Sequence, residues 1–297
     1  MYYDVIVIGS GPAGITASIY MKRANLNVLV ISNNASSLNE KYTIENYYGF
    51  QEPITGKILY ENGIKQAQNL GINIIDKEVV GIKYSDNGFE ILTANQGIDE
   101  NYLTKFVVIA TGVNRRKPDI KGIDDFEGKG VSYCAVCDAP FYRNKDVAVL
   151  GNGEYAIREI EELIPIAKNV TMLTNGETAP ENRLDIRIEQ NKIKEIRGTL
   201  NIEEIEFENG SSKKTDGLFI AQGTASSIDF ARKIGAKINN NCIVVNNNME
   251  TNVPNVYACG DCTGGILQIS KAVYEGMIAG LAIIKKYRKE KGNNENE

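Results

Sequence analysis

Six residues, Gly9-Ser10-Gly11-Pro12-Ala13-Gly14, constrain the fold of this chain of 297 residues more than any other stretch. Before them runs a short apolar segment rich in Val and Ile, Tyr3–Ile8; after them Ile15–Met21 continues with helical spacing, and Asn27–Ile31 is apolar again. Strand, glycine turn, helix and strand within about thirty residues is the context that the G-x-G-x-x-G dinucleotide fingerprint requires. The first glycine makes the turn, the second lets a pyrophosphate approach the backbone, and the third lets helix pack on strand. Phosphate charge then sits at a helix N-terminus, among unpaired backbone N–H groups. Ser32 ends the second strand, where an acid often holds a ribose hydroxyl. Without that acid the case for NAD at this turn weakens, and FAD stays open.

The pattern starts again about 140 residues later. Asp146–Leu150 reads as a strand, Gly151-Asn152-Gly153-Glu154-Tyr155-Ala156 as a second turn of the same type, Ala156–Ile164 as a helix and Asn169–Leu173 as the next strand. Two such beginnings imply an α/β protein with two nucleotide-type domains. Between them, Ile58–Asn69 reads as a helix, Ile72–Val80, Phe89–Thr93 and Tyr102–Thr104 as strands, and Phe106–Ala110 as a buried strand ending in Thr111-Gly112. Asn114–Gly122, with Pro118, reads as a linker; its run Arg115-Arg116-Lys117 is either solvated or a docking patch for an acidic partner. Farther on, Ile193–Ile196, Ile202–Phe207 and Gly217–Ala221 complete the second domain, and Gln222–Ser226 returns to the first. Cys242–Val245 and Val256–Ala258 are strands, Ile269–Tyr287 is a helix, and the polar tail Lys289–Glu297 is expected to be disordered.

Cys134 and Cys137 form a Cys-x-x-Cys followed directly by Asp138. That spacing closes a small disulfide on one turn of backbone and lowers the attacking thiol's pKa. Asp138 could pass a proton to or from a leaving sulfur. The same spacing serves as half of many zinc sites, so its meaning depends on its surroundings. Cys259 and Cys262 form a second such pair, read as an auxiliary disulfide, as zinc ligands with the first pair, or as small residues around the turn Gly260-Asp261; no metal is expected, because 121 residues separate the pairs. The chain contains no histidine, which removes Ser-His and Cys-His catalysis and any imidazole acid or base. A net charge of −5 argues against nucleic acid as a partner. No apolar run approaches a membrane span and no basic flank precedes Val5–Ile8, so the expected setting is cytoplasmic, away from membranes.

Taken together, Gly9–Gly14, Glu45–Gly49, Ala110–Gly112, Cys134–Asp138 with Phe141-Tyr142-Arg143-Asn144, Gly151–Ala156, and Gly260-Asp261 with Gln268 resemble the low-molecular-weight thioredoxin reductases over almost the whole chain. The resemblance implies two Rossmann-like, three-layer domains, the second inserted into the first: 1–113 with 225–297, and 114–224. It implies FAD along Gly9, Ser10, Gly11, Pro12, Ala13, Gly14, Ser32, Asn46, Ala110, Thr111, Gly112, Gly260, Asp261 and Gln268. It implies that Cys137 faces the flavin, that Cys134 attacks the partner's disulfide, and that Asp138 is the acid. A thioredoxin-like partner, a homodimer and a rotating inserted domain come with it.

Three departures from the family pattern stand out. Ala35-Ser36-Ser37 replaces a Gly-Gly-Gln that contacts FAD, and Leu267 replaces an arginine before Gln268. The third concerns the electron donor. NADPH-dependent members carry a His-Arg-Arg and a further arginine after the second domain's second strand, fixed cations for the 2′-phosphate. Here Thr171–Thr174 runs into Asn175-Gly176-Glu177, then Pro180 interrupts a short helix. That leaves NADH held by Glu177, or a second turn that binds no nucleotide, as in the branch that takes electrons from ferredoxin. The latter is the expectation. Ferredoxins near −400 mV and thioredoxin near −270 mV make the transfer downhill by roughly 6 kcal/mol for two electrons. A flavin dithiol oxidase using oxygen and a partner-binding flavoprotein without catalysis are the other readings.

Overall fold

Apolar runs with no polar alternation become inner strands of parallel sheets, which are buried on both faces. Tyr2–Ile8 is such a strand: Val5 and Val7 face one layer, Ile6 and Ile8 the other, and all four are buried. The computed structural model describes residues 2–33, 38, 43–95, 98–112 and 118–294. Its helices are α1 (Pro12–Arg23), α2 (Gly56–Asn69), α3 (Ala135–Asp138), α4 (Glu154–Leu163), α5 (Ser227–Lys233) and α6 (Ile269–Asn294). The chain divides into two units, Met1–Asn114 with Ser226–Glu297, and Arg115–Ala225.

In the first unit the sheet runs Asn73–Asp76, Val28–Ser32, Tyr2–Ile8, Ile98–Ile109, Gly88–Asn95, Glu78–Ser85, and Val256–Ala258 also pairs with Ile98–Ile109. Five of these strands are parallel; the hairpins through Gly88–Asn95 are antiparallel. Val5, Val7, Val28, Val30, Phe106 and Val108 pack against Ala13, Ala17 and Met21 of α1 and Ala279 and Ile283 of α6. The two helices touch backbone to backbone. A Cβ on Gly276 would lie 2.2 Å from the Ala13 carbonyl oxygen, and one on Gly280 3.0 Å from that of Ala17.

In the second unit the parallel sheet runs Arg187–Glu189, Asn169–Leu173, Asp146–Leu150, Gly217–Ile220, Val131–Ser132. The antiparallel strands Ile193–Gly198, Ile202–Phe207 and Ser212–Lys214 form a second sheet. Ile193, Ile196, Ile202, Ile205 and Phe207 pack with Ala148, Leu150 and Leu218 of the parallel sheet. Ile157, Ile160 and Leu163 of α4 are also buried. Both units are the α/β layered folds that the two glycine turns imply.

Several local expectations change. Tyr102–Thr104 and Phe106–Ala110 belong to one twelve-residue strand, Ile98–Ile109. Thr174–Ile186 contains no helix; Pro180 and the left-handed residues Asn175 and Asp185 keep it a turn. The expected linker Asn114–Gly122 already joins the second unit's core at its end, because Ile120 and Ile123 are buried there. α6 runs to Asn294 instead of fraying at Lys289, and Lys105 Nζ holds Glu290 Oε2 at 2.5 Å. Beyond the return segment, α5 was legible but unread: Ser226 and Asp229 form a reciprocal capping box. The run Arg115–Lys117 and the segment Ala35–Ser37 lie outside the described residues. Gly276→Ala is expected to lower stability by about 1–3 kcal/mol, because the methyl forces α1 and α6 apart. Denaturant unfolding monitored by circular dichroism measures this.

Candidate active site

Register decides where the sequence-predicted cofactor residues meet. In the first unit Ile31, Ile8, Ile109 and Ala258 stand side by side on four parallel strands. The residues that follow them, Ser32, Gly9, Ala110 and Cys259, therefore line one carboxyl edge of the sheet. Ligands of open α/β sheets bind at such an edge. Gly9 (φ +109°) lies where a Cβ would be 2.4 Å from the Ala110 carbonyl oxygen, and Gly14 where one would be 2.1 Å from the Gly9 carbonyl oxygen. Only glycine fits either place. Gly11 differs: among the described residues no atom comes within 4 Å of where its Cβ would be. Its backbone is bare toward open space at the start of α1, whose first residue Pro12 gives up no needed N–H.

Polar groups surround that opening. Ser10 Oγ lies 2.8 Å from Ser32 Oγ and 2.7 Å from Tyr60 OH. Thr111 Oγ1 is buried without a hydrogen-bond partner among the described residues. Asn46 Nδ2 donates to Gln268 Oε1 at 3.1 Å, joining residues 222 positions apart. Gly260 (φ +86°) packs over Ala13, and its turn is braced by a pair the sequence reading missed. Lys271 Nζ donates to the Gly260 carbonyl (2.7 Å) and Thr263 Oγ1 (2.8 Å), while Glu275 Oε2 accepts from Gly260 N and Thr263 Oγ1, each at 2.8 Å. Their i,i+4 spacing on α6 was the available signal. Burial pushes the Asp261 carboxyl above its ordinary range, with Lys271 opposing. A cavity of about 310 Å³ opens beside Ser10, Gly11, Pro12, Tyr60, Gly63 and Ile269.

In the second unit Cys134 and Cys137 are joined as a disulfide. Val131–Ser132 pairs with Leu218–Phe219, so the cysteine turn leaves the carboxyl edge of that sheet. Cys134 caps α3, its sulfur 3.2 Å from the Cys137 N–H. Ser132 ties the turn together: its hydroxyl donates to Asp138 Oδ2 at 2.6 Å and accepts from Cys134 N at 3.1 Å. Cys134 is 3% exposed and Cys137 is an exposed residue. Val136 and Phe141 (73% exposed) present apolar surface beside them. The second glycine turn keeps its packing need, since a Cβ on Gly151 would lie 2.2 Å from the Ala221 carbonyl oxygen. Its mouth is crossed by its own side chains. Asn152 Nδ2 donates to the Thr178 carbonyl at 3.2 Å, and Arg183 grips both carboxylate oxygens of Glu154 at 2.7 and 2.9 Å.

Comparison with known proteins agrees with this layout. Residues 3–276 match the pyridine nucleotide-disulphide oxidoreductase family. A thioredoxin reductase of Aquifex aeolicus is 32% identical, over 95% of this chain and 93% of its own length. The chain belongs to the pyridine nucleotide-disulphide oxidoreductases, among the thioredoxin reductases. Among solved structures, an atypical thioredoxin reductase from Desulfovibrio vulgaris Hildenborough is 40% identical with a TM-score of 0.89, covering 96% of this chain and 98% of that one. A ferredoxin-flavin thioredoxin reductase from Clostridium acetobutylicum is 32% identical with a TM-score of 0.71, covering 97% and 99%.

As a flavin disulfide oxidoreductase the chain takes FAD. The first glycine turn fits that group: bare backbone at Gly11, an unpartnered hydroxyl at Thr111 and a helix N-terminus for the pyrophosphate. Of the two Cys-x-x-Cys pairs, Cys134 and Cys137 are the one joined as a disulfide. Cys259 and Cys262 are free thiols instead. Burial, foremost, raises both; Cys262 is pushed up to about 12, and its thiol lies 3.4 Å from the Ile109 carbonyl and 3.3 Å from that of Cys259. Raising a thiol from about 8.5 to about 12 cuts its thiolate fraction by more than a thousandfold, partly offset by higher intrinsic nucleophilicity. After reduction and desalting at pH 8, Cys134 and Cys137 are expected to react with a maleimide at least about fortyfold faster than Cys262. Peptide mapping at timed quenches measures the ratio.

Proposed function

We propose that this oxidoreductase reduces the disulfide of thioredoxin or a thioredoxin-like protein, with reduced ferredoxin as electron donor. The observation that carries the donor assignment is the self-closed second glycine turn. Gly151 is held by packing on Ala221, which is reason enough for a glycine there without any nucleotide. Asn152 reaches Thr178 across the turn, and the nearby cation, Arg183, is already neutralised by Glu154. Glu177, the acid considered for an NADH ribose, is exposed, and its carbonyl accepts from Thr174 Oγ1 at 2.7 Å. A 2′-phosphate needs fixed cationic donors, and this turn spends its guanidinium on a carboxylate. A relative that bears ferredoxin in its name has the same fold at 32% identity.

FAD, when bound, would supply the redox chemistry that links one-electron donation to two-electron disulfide reduction. In this reading Gly9–Gly14 and Thr111 hold its phosphates and hydroxyls, Ser10 and Ser32 flank the ribose side, and Asn46, Ala110, Gly112, Gly260, Asp261 and Gln268 bound the rest. The Lys271–Glu275 brace fixes the Gly260-Asp261 backbone in advance. Once reduced, Cys134 and Cys137 are two separate side chains, and Cys134 is free to leave its buried place. Its thiolate attacks the partner's disulfide to form a mixed disulfide; Cys137 then attacks Cys134, releasing the partner as a dithiol. Asp138, steadied by Ser132, holds the proton that the departing thiolate takes up. Exposed Phe141 and Val136 offer an apolar landing surface for a protein substrate beside the pair. A cytoplasmic homodimer belongs to the same reading.

Arg183 gives the second reading, a nicotinamide donor, its foothold. Released from Glu154, it could meet an anionic cofactor. Anaerobic mixing decides between them: reduced ferredoxin is expected to bleach the flavin absorbance within seconds, and micromolar NADPH or NADH is not. Glu154→Gln frees Arg183 and is still expected to leave NADPH without effect; bleaching by NADPH in either protein overturns the donor assignment. Cys134→Ser is expected to keep full flavin content and lose at least about a thousandfold of thioredoxin reduction, as loss of a nucleophile does. Insulin-coupled turnover and flavin absorbance together report both quantities.

A further inference from the structure

Within the apolar stripe of α4, where Ala156, Ile160 and Leu163 are buried, stands a carboxylate: Glu159, 1% exposed. Buried charges are rare unless they are paired or hydrogen-bonded to a purpose. Its Oε2 accepts from the backbone N–H of Ala135 at 2.7 Å. That amide directly follows Cys134 and is the first of α3. An N–H in this place ordinarily stabilises the thiolate of a Cys-x-x-Cys turn. Here it is given to a carboxylate, and the Cys134 sulfur keeps the Cys137 N–H at 3.2 Å.

We propose that Glu159 is a positioning residue that also sets the reducing power of the Cys134–Cys137 pair. Its negative charge lies one residue from Cys134 inside the protein, where charges are weakly screened. The charge disfavours a thiolate on the reduced pair and leaves the neutral disulfide untouched. Stabilised thiolates make a dithiol oxidising; a destabilised one makes it reducing. Glu159 therefore favours the disulfide and helps the pair push electrons onward. Other titratable groups of this neighbourhood include Tyr133 directly before Cys134, Asp138 on the turn, Tyr142 after it, whose hydroxyl is raised by burial and then by Asp138, Tyr155 one helical turn before Glu159, and Arg158, which pairs with Glu161. The inference rests on Cys134 and Cys137 being the working dithiol.

The equilibrium to be measured is balanced: two thiols and one glutathione disulfide give the protein disulfide and two glutathiones, the new S–S bond replacing the old one. The FAD-loaded protein is equilibrated anaerobically in glutathione buffers, and the pair is read by acid quench, thiol alkylation and mass spectrometry. Glu159→Gln keeps the shape and can still accept from Ala135, but carries no charge. It is expected to shift the equilibrium about tenfold toward the dithiol, a potential higher by about 30 mV, and Glu159→Ala at least as far. A Glu159→Gln protein within twofold of wild type, with only Glu159→Ala altered, shows a scaffold without electrostatic effect and overturns the proposal. A wild-type pair that never exchanges with glutathione overturns both this proposal and the dithiol it rests on. The wild type supplies a second test that needs no variant. With ¹³C-carboxyl glutamate incorporated, the disulfide-minus-dithiol infrared difference spectrum is expected to contain a shifted glutamate carboxylate band, and its absence overturns the coupling. Asp138, unlabelled, does not interfere.

Discussion

Three close backbone approaches hold the first unit together, and each forbids a side chain. Gly9 lies against the Ala110 carbonyl, Gly14 against the Gly9 carbonyl, and Gly276 against the Ala13 carbonyl. Because these approaches bring strand end, helix start and C-terminal helix together, four strand ends share one edge and α1 points its N-terminus into open space beside Gly11. Close packing of this kind is intolerant of even one added methyl. The same demand recurs at Gly151 against Ala221. That recurrence gives the second turn a packing reason for its glycine, whether or not the turn serves a nucleotide.

The two turns thus illustrate how one local motif takes two fates. At the first, open space lies beside Gly11, and the Thr111 hydroxyl has no hydrogen-bond partner among the described residues. At the second, Asn152 spans the turn and Glu154 holds Arg183. The side-chain groups nearest this second turn are thus engaged with one another. A donor that binds by docking, not by filling a pocket, is compatible with that arrangement.

The disulfide turn is held by an economy of polar contacts. Ser132 joins Asp138 to the Cys134 amide, and Glu159 takes the next amide along the chain. These contacts make the turn a preformed element carried at the edge of a rigid sheet. They also place two carboxylates near the sulfurs, one on the turn and one buried below it. By contrast Cys259 and Cys262, with the same spacing, are buried free thiols, and burial raises the pKa of each. Spacing alone does not distinguish the two pairs; surroundings do.

Much of this was readable from residue order. The glycine turns, the buried strands around them and the cysteine pair with Asp138 are local patterns, and local sterics or chemistry leave them few alternatives. Even Glu159 was visible as a carboxylate in an apolar stripe, although its partner was not. Tertiary structure decided what depends on contacts between distant positions: Asn46 with Gln268, Ser10 with Tyr60, Ala135 with Glu159, Glu154 with Arg183. It also decided that α6 continues past Lys289 and that no helix follows Thr174, since packing and ion pairing outweigh weak local preference. Propensity and periodicity act over a few residues, whereas a site is assembled by sheet register, which no short window of sequence contains.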